Sequence, residues 1–444
     1  MKQILVLGAG LSATSLINYL LKQAEIYDWF IELADIDENL AYTKIKAHPR
    51  GRAQAFDVAD SAAIERLLDK KDVVVSLLPA RFHDSIAVAC LQKGIHMATA
   101  SYVSPALKLM EKEIEAKNLI FLNELGVDPG IDHMSAMRVI DRIRQKGGQL
   151  ASFYSFTGGL IAPESDNNPW HYKFTWNPRN VVVAGQGVSH FIKNGKHKQI
   201  PYHQLFNRIM EREVLDYGKF EIYPNRDSMK YRKIYQLDNI PTIFRGTMRR
   251  PGYAAAWNVF VQLGCTDDTY VIEESENMTY REFVNTFLRY DPGKPVEEKL
   301  VDYLNLDPDG EVMQKLKWLG IFDNRKIELK NATPAQILQK LLTEKWALDP
   351  DDKDMIVMQH EFEYELENTM YQITSSMVYI GKSATETAMA TAVGTPLAIA
   401  VKLLLTDQIQ QKGVIIPTKP ELYNPILDEL ETYGIKFVEK ELII

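Results

Sequence analysis

The first 125 residues alternate short, continuously apolar runs with amphipathic stretches. Ile4-Leu5-Val6-Leu7 has no polar position, as a strand buried on both faces of a parallel sheet requires. A helix beginning near Ser12 carries Leu16, Tyr19 and Leu20 toward one side. The same alternation predicts strands over Phe30–Ala34, Arg52–Val58, Val73–Leu78, His96–Ala100 and Leu119–Leu125. Helices are predicted over Ala62–Leu68, Ser85–Gln92 and Ala106–Lys117. Six strands with helical crossovers imply an α/β fold built on a doubly wound parallel sheet.

After Leu125 the rhythm changes. A helix over Met134–Arg144 leads into Phe153-Tyr154-Ser155-Phe156, and the later strands are alternating or aromatic, as in an α+β domain. Residues 275–347 are mainly helical, with capping boxes at Thr279-Tyr280-Arg281-Glu282 and Thr333-Pro334-Ala335-Gln336. Ile356–Leu366 alternates strictly, with Ile356, Met358, His360, Phe362, Tyr364 and Leu366 on one face and Glu361, Glu363 and Glu365 on the other. The acidic face is expected to be a solvated strand face, with no metal, because His360 points to the opposite side. From Ala384 the chain becomes Ala-rich and apolar through a helix reaching Leu405. There is no internal repeat and no low-complexity linker.

Composition narrows the class. At 444 residues, 46% apolar and 25% charged, the chain has the make-up of a multidomain globular enzyme. A net charge of −8 argues against a nucleic-acid partner. Cys90 and Cys265 are the two cysteines, too few for a disulfide framework or a Cys-rich metal site, which suits a reducing cytoplasm. The apolar run after Met1-Lys2-Gln3 is too short for a signal peptide, and no uncharged apolar stretch of ~18 residues suggests a membrane span.

Gly8-Ala9-Gly10-Leu11-Ser12-Ala13 fits the G-x-G-x-x-A fingerprint of a dinucleotide-binding Rossmann unit. Gly8 permits the strand-to-helix turn, Gly10 lets backbone approach a pyrophosphate, and Ala13 packs helix on strand. Asp35 ends the second strand, where a carboxylate could accept both ribose hydroxyls of NAD and would repel a 2′-phosphate. No basic residue follows until Lys44, so the expected cofactor is NAD, favoured over NADP; Asp37 competes for the same role. Asp57-Val58 suits the adenine side, and Ser76-Leu77-Leu78-Pro79 the ribose–nicotinamide side.

The downstream segments are more specific. Ala98-Thr99-Ala100-Ser101-Tyr102-Val103-Ser104-Pro105 and Asn123-Glu124-Leu125-Gly126-Val127-Asp128-Pro129-Gly130-Ile131-Asp132-His133 resemble signature segments of the saccharopine dehydrogenase (L-glutamate-forming), or saccharopine reductase, family. So do Gly158-Gly159-Leu160, Tyr172-Lys173-Phe174-Thr175-Trp176, Tyr223-Pro224-Asn225-Arg226-Asp227-Ser228, Arg245-Gly246-Thr247-Met248-Arg249, Asp354-Met355-Ile356-Val357-Met358 and Ala390-Thr391-Ala392-Val393-Gly394. They occur in the family's order along almost the whole chain.

The resemblance implies a Rossmann domain over 1–128 completed by 391–444. It implies a substrate and dimerisation domain over 129–390, with a helical subdomain over 275–347, in a homodimer. The implied activity is NAD(P)-dependent oxidation of saccharopine to glutamate and 2-aminoadipate 6-semialdehyde, or the reverse reductive condensation. Ser101 and Tyr102 match substrate contacts, and Val127, Asp128 and Pro129 match positions beside the nicotinamide. Asp128 would orient the substrate amine or accept its proton, with Tyr102 beside it as a catalytic candidate. Saccharopine carries three carboxylates; Arg226 and Arg245, followed by Gly246 and Thr247, supply guanidinium forks that bind carboxylates bidentately.

Two positions depart from the family pattern. Thr157 stands where family members often have Cys before the Gly-Gly pair, and Asp35 stands where fungal biosynthetic members carry a basic residue for a 2′-phosphate. The second departure points to NAD and to the oxidative direction. The alternatives are a dehydrogenase of a carboxylated polyamine and a regulator that binds NAD without turnover.

Overall fold

Strand β1 (Lys2–Leu7) is the axis of the N-terminal sheet, and Ile4 through Leu7 are buried on both of its faces. The computed structural model describes residues 1–444 and divides them into two units. The first comprises Met1–Gln149 and Met377–Val438, the second Leu150–Ser376 and Glu439–Ile444.

In the first unit β1 is followed by β2 (Trp29–Asp35), β3 (Gly51–Ala55), β4 (Val73–Ser76), β5 (His96–Thr99) and β6 (Ile120–Leu122). Helices α1 (Ala13–Tyr27), α2 (Glu38–Ile45), α3 (Ser61–Leu68), α4 (His83–Lys93) and α5 (Pro105–Ala116) connect them, and α6 (Ile131–Gln145) follows β6. The order across the sheet is Gly413–Ile415, β6, β5, β4, β1, β2, β3, and every pair is parallel. The winding reverses between β1 and β4, which opens a crevice at the carboxyl ends of the strands, where such sheets bind ligands.

The ladders are shorter than the apolar runs. Expected strands over Arg52–Val58, Val73–Leu78 and Leu119–Leu125 pair only over Gly51–Ala55, Val73–Ser76 and Ile120–Leu122. Val58, Leu77, Leu78 and Leu125 therefore fall in the loops at the carboxyl edge. Helix α2 escapes the periodicity argument because it buries only Ala41 and Ile45; Asp37 starts it by accepting a hydrogen bond from the Leu40 N–H.

The helix Ala388–Leu405 is long and apolar enough to cross a membrane by length and composition, although Lys402 interrupts it and no uncharged stretch of 18 residues is present in it. It packs against α1 in the first unit, and most of it is buried, including Leu397, Ile399, Val401 and Leu404. A helix enclosed by its own protein reads as hydrophobic all round for the same reason a membrane span does.

The second unit is built on a mixed sheet. Its strands are β7 (Gln149–Ile161), β8 (Val188–Lys193), β9 (Lys196–Pro201), β10 (Met210–Glu213), β11 (Lys219–Pro224), β12 (Thr242–Arg249), β13 (Asp354–Leu366) and β14 (Thr369–Ile380). The order is β10, β11, β12, β7, β13, β14, Val438–Ile443, with the β8–β9 hairpin joined to β12. β12 runs parallel to β7 and antiparallel to β11. Helices Tyr280–Thr286, Val296–Leu304, Glu311–Leu319 and Pro334–Trp346 lie between β12 and β13, and both expected capping boxes form.

The acidic face of β13 differs from expectation. β13 is an interior strand and is buried from Asp354 to Phe362, so Glu361 is inside the fold and accepts from Arg212 Nε at 2.7 Å. Glu363 accepts from the Ser152 hydroxyl at 2.7 Å, and only Glu365 is exposed. His360 is buried against Phe153 and Phe362, and no metal-holding group of His, Cys, Asp or Glu exists among the described residues.

Candidate functional site

The turn from β1 into α1 has the shape an anion requires. Gly8 has φ +101°, and a Cβ there would stand 3.2 Å from the Leu77 carbonyl, so this turn needs glycine. Ala9 is buried, Gly10 and Leu11 are exposed, and nothing lies within 4 Å of where a Gly10 Cβ would be. Ser12 precedes the 15-residue helix α1 and makes no side-chain cap, while the Ala13 N–H donates to the Gly10 carbonyl at 3.1 Å.

Asp35 does not stand free for a ribose. One carboxylate oxygen accepts from the Ala9 N–H at 2.6 Å and the other from the Asp37 N–H at 2.9 Å. It thus ties the end of β2 to the glycine-rich turn. Lys44 reaches back from α2, its ammonium 2.6 Å from the Thr14 hydroxyl. Burial pushes that ammonium's pKa down, and the nearby Asp35 carboxylate works in the opposite direction. Asp57 is exposed beyond β3 and accepts from the Ala59 N–H at 2.9 Å, with Val58 half-buried beside it. Leu77 and Leu78 follow β4 half-buried, the Leu77 N–H donating to the Leu7 carbonyl at 2.8 Å.

A polar network gathers at the carboxyl ends of β4, β5 and β6. Ser101 follows β5, and its carbonyl accepts from the Glu124 N–H at 3.0 Å. The exposed Tyr102 donates its hydroxyl to Asp128 at 3.3 Å. The loop carrying Val127, Asp128 and Pro129 is folded on itself: the Gly126 N–H donates to the Pro129 carbonyl at 2.8 Å and the Asp132 N–H to the Val127 carbonyl at 3.1 Å. Glu124 accepts from the Val103 N–H at 3.1 Å and lies 2.7 Å from His133, which is buried within α6. Ser101, Tyr102 and Asp128 are therefore drawn together from two loops.

The network also holds a residue that sequence reasoning missed. His83, at the start of α4, lies 2.9 Å from the Ser76 hydroxyl and 2.7 Å from that of Ser101. A single histidine in an otherwise ordinary helix start carries no periodic or motif signal.

In the second unit the two arginine segments meet through backbone. The Asn225 N–H donates to the Arg245 carbonyl at 2.9 Å, and the Arg245 N–H donates to the Ser228 hydroxyl at 2.9 Å. Arg226 has φ +48°, and its carbonyl accepts from the His190 N–H at 2.9 Å. Arg245 is buried with its guanidinium stacked 4.0 Å above the Tyr231 ring. Gly246 pairs with Pro224, and Thr247 pairs with Tyr223 on one side and Thr157 on the other. The Thr157 hydroxyl is buried and has no hydrogen-bond partner among the described residues.

Comparison with known proteins gives this geometry a context. Residues 4–122 match the family described as saccharopine dehydrogenase NADP binding domain, and residues 126–435 match the saccharopine dehydrogenase C-terminal domain. The chain is 32% identical over 452 residues to saccharopine dehydrogenase [NADP(+), L-glutamate-forming] of Schizosaccharomyces pombe, covering 100% of this chain and 99% of that protein. It is 33% identical to the mitochondrial alpha-aminoadipic semialdehyde synthase of Mus musculus, covering 98% of this chain but 47% of that longer protein. The structure of apo saccharopine dehydrogenase (L-Glu forming) from Saccharomyces cerevisiae superposes with a TM-score of 0.90, at 31% identity and full coverage of both chains.

These matches overturn the expectation of NAD over NADP. The family domain is an NADP binding domain, and the yeast relative is named for NADP(+). Asp35 braces the glycine-rich turn, its two oxygens accepting from the Ala9 and Asp37 N–H groups, and Lys44 stands nearby as a counter-charge. With both domain models matched over nearly the whole length, the chain belongs to the saccharopine dehydrogenase family.

Proposed function

We propose that this protein catalyses the NADP-dependent oxidation of saccharopine to L-glutamate and 2-aminoadipate 6-semialdehyde, or the reverse reductive condensation, in lysine metabolism. The observation that carries this reading is the contact of the Tyr102 hydroxyl with Asp128, at the same sheet edge as the glycine-rich turn.

The residues present fit the dinucleotide. The N–H groups of Gly10, Leu11 and Ser12, at the N-terminus of α1, suit the pyrophosphate, with Gly8 and Ala9 shaping the turn. Lys44, beside the braced Asp35, is the cation available to a 2′-phosphate. Asp57 and Val58 would flank the adenine, and Leu77, Leu78, Val127 and Pro129 the nicotinamide end. Bound NADP+ supplies the two-electron acceptor.

The chain's own residues do the rest. Asp128 orients the secondary amine and takes its proton, with Tyr102 fixing the direction of the carboxylate. Ser101 hydrogen-bonds the substrate beside Asp128; in the second unit Arg226, Arg245 and Thr247 are the candidate contacts for carboxylates. Gly246 is packed against Ile222, a Cβ there standing 2.4 Å from the Ile222 methyl, so it contributes backbone alone. Thr157 offers no thiol, which leaves proton transfer to Asp128 and Tyr102.

The same reading includes a homodimer in the cytoplasm, acting on small molecules and not on nucleic acid or membrane. Supporting it, Cys90 and Cys265 are both buried and burial pushes their thiol pKa values up, which suits unreactive structural cysteines in a reducing compartment. The test is formation of NADPH from saccharopine and NADP+, with glutamate identified as a product. No turnover in either direction sinks the reading. Arg226→Ala should raise the saccharopine KM about tenfold or more and spare NADP+, as loss of a charge-assisted carboxylate contact does.

A further inference from the structure

Ser76 lies in the segment read for the nicotinamide end and Ser101 is read as a substrate contact, but the histidine that joins them, His83, has no role in either reading. Ser76 is the last residue of β4 and is fully buried; Ser101 follows β5; His83 spans the two strand ends from the first turn of α4 and is itself buried. Both ring nitrogens are used, Nδ1 2.9 Å from the Ser76 hydroxyl and Nε2 2.7 Å from the Ser101 hydroxyl.

The ring is held neutral. Burial lowers the imidazole pKa, Asp84 opposes it only in part, and an α-helix N-terminus disfavours a cation. A neutral imidazole has one donor and one acceptor, so the chain must have a direction. If Ser76 donates to Nδ1, the Nε2–H donates to Ser101, and the Ser101 proton turns away from the ring and toward the open crevice. The opposite direction spends the Ser101 proton on His83 and presents only lone pairs outward. A substrate carboxylate placed against Ser101 needs the first arrangement.

We propose that His83 is a positioning residue that turns the Ser101 hydroxyl into a hydrogen-bond donor for a substrate carboxylate. The proposal rests on the reading of Ser101 as a substrate contact. Its ligand class is an anionic amino-acid substrate, and the cofactor is not involved.

The test compares His83→Leu, His83→Gln, Ser101→Ala and the double variant His83→Leu/Ser101→Ala by steady-state kinetics. Loss of one oriented neutral hydrogen bond should raise the saccharopine KM about tenfold in His83→Leu, with the NADP+ KM unchanged. Gln keeps an N–H near the Nε2 position and should restore most of that loss. The double variant should be no worse than Ser101→Ala, because both changes remove one interaction. An unchanged saccharopine KM in His83→Leu, equal losses for both ligands, or additive effects would overturn the proposal.

Nitrogen-15 NMR of the wild-type protein gives a second readout that depends on no variant folding. Nε2 should carry the proton, and a protonated Nδ1 with a bare Nε2 would overturn the assignment. If wild-type protein fails to oxidise saccharopine at all, the reading of the whole site falls and the proposal with it. If wild type turns over and only the His83 results fail, the site reading stands without His83.

Discussion

One oxygen of the Asp35 carboxylate accepts a hydrogen bond from the Ala9 N–H at 2.6 Å, across 26 residues of sequence. This bond closes the glycine-rich turn against the end of β2, so Asp35 works first as a brace. Asp35→Ala should therefore destabilise the protein by ~1.5–3 kcal/mol, the usual worth of a hydrogen bond to a charged group. Asp35→Asn keeps an acceptor and removes the negative charge. With one acceptor oxygen left for two backbone N–H groups, it should melt between Asp35→Ala and wild type and bind NADP+ more tightly. Thermal melts and fluorescence titration check both, and a wild-type melt for Asp35→Ala would count against the brace.

Lys44 is the second half of that relationship. Its ammonium is half-buried against the Thr14 hydroxyl, and burial lowers its pKa. A phosphate beside it would offset the cost of that burial. Lys44→Met should weaken NADP+ binding about tenfold and leave the saccharopine KM at saturating cofactor unchanged, which is the size expected for one charge-assisted contact. The wild-type affinity should also fall with added salt more steeply than that of the variant. Equal salt dependence in the two proteins would remove Lys44 from the phosphate site.

Much of the fold was legible because burial writes itself into the sequence. β1 and β4 sit inside the sheet under helices, so Ile4–Leu7 and Val73–Val75 have no polar position. Helix α2 was invisible because a helix burying two small or single side chains has no stripe to detect. The acidic face of β13 was misread because alternation reports which residues share a face and says nothing about what covers it; Arg212 covers Glu361 from a strand 149 residues away. The site shows the same divide. Local motifs marked the glycine turn and the Asp128 loop. The partners of Asp35 and of His83 are set by tertiary contact, which no spacing rule encodes.

In the second unit Lys173 is 4% exposed and lies 2.5 Å from Asp352, itself 7% exposed, and 2.8 Å from Asp349. Burial works against the lysine charge, but the hydrogen bonds to Asp349 and Asp352 outweigh it and the ammonium pKa is raised. Stability from a raised lysine is present below its unfolded pKa of ~10.4 and is lost as pH rises through the higher folded value. The Asp349 pKa is lowered by the Lys173 hydrogen bond, so its contribution is present above ~3.9 and lost as pH falls below that value. The cluster should hold between those limits. Lys173→Met should cost ~3–5 kcal/mol by leaving the buried Asp352 charge without its cation, with the Asp349 N–H as a remaining donor, and Lys173→Met/Asp352→Asn should recover part of it. Denaturant melts decide; a single variant as stable as wild type would show the pair to be dispensable.

Gly394 offers the clearest link between packing and cofactor affinity. It lies inside the helix Ala388–Leu405, where that helix meets the first turn of α1. A Cβ at this position would stand 2.8 Å from both the Ser12 carbonyl oxygen and the Leu16 backbone nitrogen. Those neighbours are backbone and cannot rotate away, so Gly394→Ala must displace one helix from the other. Overpacking of this kind costs ~1–3 kcal/mol. The displaced turn is also the one proposed to hold the pyrophosphate, so strain and binding should move together. Gly394→Ala should lower the melting temperature and raise the NADP+ KM, while the saccharopine KM at saturating cofactor stays put. A lower melting temperature with unchanged NADP+ affinity would mean that the helix contact supports the fold alone and that the anion site is set by the Gly8–Asp35 turn.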